Sequence, residues 1–230
     1  LFNYLLALLA SKAKDKERAE ELLSKLIENE TLDKDELFEL AREIMTNCGI
    51  SVNGASSAIE ACFSFGKPMD ALPHLVSLYR EAPEEHESIA TSLRELANEK
   101  EEYWQYISQL IEALAKEEQL SIPMKYLLAE SHLMTGQVER AVFEFDQLTM
   151  INEDIKFKLV ELYGKAAQRY PDNATLQLAL YHLNLEMELY SDAAHYLCRT
   201  LELDPGQIKD IVLRFEKLTA LDPTNHLIWE

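Results

Sequence analysis

Cysteine is scarce in this sequence: Cys48, Cys62 and Cys198 are the only three, with no CxxC pair. That excludes a disulfide framework, reads Cys62 and Cys198 as small apolar fillers, and fits a reducing compartment, so a cytoplasmic location is the expectation. Glycine is nearly as sparse, six in all. Its densest stretch, residues 48–54, lacks the Lys-Ser/Thr that would complete a phosphate-binding loop and reads as a helix-to-helix turn. Positive charge is short as well: Lys and Arg total 22 against 41 Asp and Glu, for a formal charge of −19. Such a surface repels nucleic acid and anionic lipid and favours a basic partner at long range. Apolar runs are short too, since the opening stretch 1–10 cannot span a bilayer, and no direct membrane insertion is expected. The six histidines are scattered, with no His-Glu-x-x-His and no pair at i+3 or i+4. His182 and Glu186 share a helical face, as ordinary surface neighbours do. The acidic run 81–87 straddles a helix start, where carboxylates complement the helix dipole. No catalytic residue, cofactor site or metal site is therefore expected, and the chain reads as a non-enzyme.

What the sequence does have is 47% hydrophobic residues, enough to bury a substantial core, and those residues recur at a long period. Ala19, Ala71, Ala141 and Ala193 are 52, 70 and 52 residues apart. Leu23, Leu75, Phe145 and Leu197 follow four residues later, and Leu26, Leu78, Leu148 and Thr200 three further on. That i, i+4, i+7 set is one apolar helical face, with Ala where two helices approach closely. Twelve residues before each Ala stand Ala7, Ile59, Ala129 and Tyr181, inside the helical patterns 4–10, 55–65, 124–134 and 176–187. Eighteen residues after it stand Leu37, Ile89, Leu159 and Ile211, each opening a third amphipathic pattern. Ser51, Ser121, Asn173 and Asn225 stand where a cap for each first helix is needed, and Pro171 and Pro223 end the helices before them. The single 70-residue interval holds one inserted helix near 101–118, with apolar residues Tyr103, Trp104, Ile107, Leu110, Ile111 and Leu114. Its aromatic cluster reads as core packing, with Trp104 turned away from the face of Tyr103 and Tyr106.

The expected fold is all-α, with about thirteen helices in roughly 52-residue, three-helix repeats and no sheet. The repeats run about 1–51, 52–121, 122–173 and 174–225, with a further one starting at 226–230. This register resembles the tetratricopeptide (TPR) family, degenerate and with an extra helix in each repeat. Leu128-Ala129, Ala141 and Phe145 carry the resemblance, as do Leu6-Ala7, Ala19 and Leu23, then Leu180, Ala193, Leu197 and Pro205, and the turn Gly136-Gln137. A related helical-hairpin family with longer repeats is the alternative.

The resemblance implies a right-handed α–α superhelix whose first helices line a groove that binds a peptide or a helix of another protein. The groove positions are Tyr126, Leu127, Glu130, Leu133 and Met134 in one repeat, and Leu178, Ala179, His182, Leu185 and Glu186 in the next. They hold no basic clamp, which argues for an apolar or basic ligand rather than an acidic tail. A non-catalytic interaction scaffold is thus the leading functional reading. A regulatory or structural module of a larger enzyme or transport assembly is the alternative. Because Leu1-Phe2 opens inside an apolar pattern and Leu227-Ile228-Trp229 closes on one, the chain is expected to be part of a longer array or to self-associate through its ends.

Overall fold

A computed structural model describes residues 66–223 continuously and, before them, Ala7, Ala10, Arg18, Ala19, Glu21, Leu22, Lys25, Leu40, Glu43, Ile59, Cys62 and Phe63. Every described residue in a regular element is helical, and there is no strand among them. Nine α-helices are described: α1 (Leu72–Glu81), α2 (His86–Glu99), α3 (Tyr103–Glu117), α4 (Ile122–Met134), α5 (Val138–Thr149), α6 (Ile155–Arg169), α7 (Ala174–Glu186), α8 (Tyr190–Leu203) and α9 (Ile208–Leu221). These are the helices that the repeat pattern places between residues 66 and 223. The expected helices of the first repeat, the first helix of the second repeat (55–65) and the one starting at 226 lie outside the continuously described residues.

The chain forms two compact units, Leu1–Leu128 and Ala129–Glu230. In the first, α3 packs on α1 and α2. Tyr103 and Trp104 are both 5% exposed, and the Tyr103 hydroxyl donates to the Phe63 carbonyl at 3.3 Å. Trp104, on a different face from Tyr103, is packed in the core as well. With Tyr103, Trp104, Ile107, Leu110, Ile111 and Leu114 all buried, α3 is enclosed on more than one face. Entry to α2 runs through a 3-10 turn, Pro83–Glu85, with Glu84, Glu85 and then Glu87 at the positive end of the helix. The His86 ring stacks on Tyr79 at 3.7 Å. The Tyr79 hydroxyl in turn donates to Gln119 O at 3.1 Å and accepts from Ser121 N, tying α1 to the segment that starts α4.

In the second unit α7 packs on α8, α6 and α5, and α9 packs on α8. Helix α5 buries one stripe, Val138, Ala141, Phe145 and Leu148. Helix α7 buries Leu176, Gln177, Ala179, Leu180, Tyr181, Leu183 and Asn184, which cover more than half of its circumference. Only the side that carries His182 and Glu186 is open. Its enclosed polar groups are satisfied locally: Asn184 Nδ2 donates to Leu180 O at 2.8 Å and Gln177 Nε2 to Pro171 O at 3.3 Å.

The repeat register is visible in burial. Ala7, Ala19, Ala71, Ala129, Ala141 and Ala193 are all fully buried, Tyr181 is 1% exposed and Ile59 4%. The positions that complete the second-helix stripe, Leu75, Phe145 and Leu197, then Leu78, Leu148 and Thr200, are buried as well.

The register extends to a turn that the sequence marks only in part. Gly66, Gly136 and Glu188, again 70 and 52 apart, have φ of 71°, 81° and 60°. Each ends a first helix with the same pair of bonds: Lys67 N to Cys62 O, Gln137 N to His132 O and Leu189 N to Asn184 O, all at 2.8 Å, beside a shorter-span bond from the left-handed residue itself. Glycine takes this conformation freely, whereas Glu188 pays about 1–2 kcal/mol for it.

Two capping expectations part company. Asn173 caps α7, its side chain accepting from Leu176 N at 2.9 Å. The Ser121 carbonyl accepts from Lys125 N at 2.9 Å, but its hydroxyl is buried without a hydrogen bond. A cap side chain bonds the N2 or N3 amide, and here N2 is Pro123, which has none. Ser51 and Asn225 lie outside the described residues.

Candidate interaction surface

The positions expected to line a groove fall into three environments. Leu133 is fully buried and Glu130 is 8% exposed, so both sit in the interior of the enclosed helix α4. Leu127 is fully buried and Ala179 is 9% exposed. Tyr126, in the first compact unit, is half-buried with the Arg94 guanidinium 5.5 Å from its ring centre. Met134, Leu178 and Leu185 are half-buried in the second, the last two packed against the core of α7, α8 and α9. His182 and Glu186 alone of the set are exposed.

Around those two the structure assembles a row of charges on the open side of α7. Glu186 Oε2 meets Lys156 Nζ of α6 at 2.8 Å. His182 Nε2 accepts from Arg214 Nη1 of α9 at 2.9 Å, and Arg214 Nε donates to Asp210 at 2.6 Å. Although the His182 side chain reaches solvent, partial desolvation of its ring first, and the Arg214 charge second, push it below its ordinary value. Lys156 is raised, chiefly by its hydrogen bond to Glu186. Asp146 is raised by burial and then by the Glu186 carboxylate. These charges already answer one another, so a partner gains little by pairing with them.

Deeper in the unit, His132 is fully buried with its Nδ1 2.7 Å from Glu144 Oε2. It stands 52 residues before Asn184 and 70 after Cys62, the same first-helix position in each repeat. Burial and then the nearby Asp70 charge push the Cys62 thiol up to about 12. That makes it a packing group and not a nucleophile. Among the described residues no group of three or more His, Cys, Asp and Glu side chains is placed to hold a metal ion, and no helix is long and apolar enough to cross a membrane.

The larger anomaly is apolar. Phe143 is 65% exposed, Met150 80%, Ile151 61% and Phe157 69%. Phe143 and Met150 share the side of α5 opposite its buried stripe, and Phe157 lies opposite the buried stripe of α6, as the helical repeat requires. In the flanking repeats the positions of Phe143 hold Pro73 and His195, those of Met150 hold Arg80 and Glu202, and those of Phe157 hold Glu87 and Lys209, all exposed. One repeat has therefore placed large apolar groups where its neighbours place mainly charge. Sequence reasoning missed these residues, although aligning the outward positions of the repeats, rather than the inward ones alone, exposes the difference.

No family model matches the chain, and no curated protein is similar to it in sequence.

Proposed function

We propose that this chain is a TPR-like right-handed α-solenoid, with about thirteen helices in three-helix repeats, that serves as a non-catalytic scaffold holding another protein. The observation that carries the reading is the exposure of Phe143, Met150, Ile151 and Phe157 at repeat positions that are mainly polar elsewhere. Solvent-facing apolar groups of this size cost solubility and are retained where a partner covers them. Residues 139–158 carry five acidic and three basic side chains. The ligand that fits is thus an apolar segment with basic flanks, and phenylalanine and methionine are suited anchors for it. His182 and Glu186, with half-buried Leu178 and Leu185, form the adjoining candidate face on α7.

Affinity capture from an extract of the source cells tests this, comparing the wild-type chain with a Phe143→Ser/Phe157→Ser variant. Both sites are exposed, so the variant should keep its stability within about 0.5 kcal/mol and lose the captured partner. Full retention of the partner would refute the α5–α6 surface, and loss on Glu186→Lys instead would move the site to α7.

A further inference from the structure

Helix α9 leaves part of its apolar face uncovered. Ile208 is 52% exposed and Val212 48%, and Phe215 is half-buried against the core cluster of Tyr181, Leu197 and Leu218. One and two repeats earlier, the positions of Phe215 are Tyr163, 1% exposed, and Leu93, 2% exposed. Those two lie on α6, which packs on α7, and on α2, which packs on α3. At about 100° per residue, Ile208, Val212 and Phe215 fall within about 60° of one another, a continuous apolar strip beside the buried Ile211 and Leu218.

The charges along that strip name its occupant. Lys209 and Glu216, both exposed, are seven residues apart on the same flank. Asp210 and Arg214 point elsewhere, joined to each other at 2.6 Å and, through Arg214, to His182. We infer that a second copy of this chain covers the strip, with the two α9 helices antiparallel about a two-fold axis near residues 212 and 213. A two-fold axis across antiparallel helices keeps each flank on its own side and reverses its order. Lys209 of each copy then stands beside Glu216 of the other, twice per dimer, while Val212 meets its own copy near the axis and Ile208 of each copy lies beside Phe215 of the other. One helix pair is at the small end of protein interfaces, so the association is a reversible monomer–dimer equilibrium.

Sedimentation equilibrium of the 230-residue chain, at low salt and over a range of concentrations, tests the inference. The wild type should show a monomer–dimer equilibrium, and Val212→Asp should be monomeric throughout with an unchanged circular dichroism melt. Lys209→Glu and Glu216→Lys each set like charges together and should weaken the dimer by about fivefold or more, while the double variant restores it. A monomeric wild type would overturn the inference. So would association indifferent to Val212→Asp, which would place a different surface in the contact. A double variant no tighter than the single ones would overturn the antiparallel arrangement, leaving another partner or another segment as the occupant.

Discussion

Helices α6 and α9 hold the same place in successive repeats, yet they are used differently. Helix α6 buries Ile155, Leu159, Leu162, Tyr163 and Ala166, whereas α9 buries Ile211 and Leu218 and exposes Ile208, Val212, Leu213 and Leu221. Their sequence patterns are alike on the shared face: Leu159, Tyr163 and Ala166 answer Ile211, Phe215 and Leu218. The difference lies in what each meets. Helix α6 is covered by α7, and α9 packs on α8. A helix does not own its burial; its neighbour confers it.

The sharpest way to break this comparison is to truncate the matched aromatics. Tyr163 is 1% exposed and meets Phe145 edge-on at 5.6 Å, so Tyr163→Ala should cost roughly 3–5 kcal/mol in urea unfolding. Phe215→Ala should cost less, about 1–2 kcal/mol, since Phe215 is only partly buried. Equal losses at low protein concentration would mean that α9 is covered within the monomer. A smaller effect probes the turns. Glu188→Gly relieves a left-handed conformation and, after the extra chain entropy of glycine, should stabilise by about 0.5–1 kcal/mol. Gly136→Ala should destabilise by about 1 kcal/mol, because its φ is 81° and its new methyl would rest against Tyr170. A lowered melting temperature for Glu188→Gly would remove the third turn from the series.

The smallest effect separates α7 and α9 from α1. His182 is held below its ordinary 6.5 by burial and then by Arg214, and His74 by burial. The folded state therefore holds fewer protons than the unfolded chain just below pH 6.5. Stability present above that pH is lost as the pH falls through the folded values. Arg214→Met should raise the His182 titration midpoint, followed by imidazole NMR, and leave that of His74 in place. An unmoved His182 would contradict the contact between α7 and α9.

The inward faces of the helices were legible because Ala71, Ala141 and Ala193 keep a fixed distance from Leu75, Phe145 and Leu197, and a helix converts fixed spacing into a fixed direction. The groove on α4 was not. A helix such as α4, apolar nearly all round, has no polar face to orient it, so Glu130 and Leu133 could be assigned to a surface when both are interior. The turn at Glu188 was hidden for another reason: its conformation is imposed by the hairpin and not announced by glycine. Phe143 and Phe157 escaped notice because an apolar residue reads as core until the direction of its helix is known.

The account rests on the equivalence of the repeat positions, and a single set of unfolding measurements tests it. Ala71→Leu, Ala141→Leu and Ala193→Leu each force extra volume into a fully buried helix crossing and should each destabilise by roughly 1–3 kcal/mol. The same change at Ala220, exposed on α9, should stay within about 0.5 kcal/mol. Three parallel losses beside a silent control are the predicted result. If any of the three alanines accepts leucine as readily as Ala220 does, the sites are not equivalent and the 52-residue repeat is contradicted.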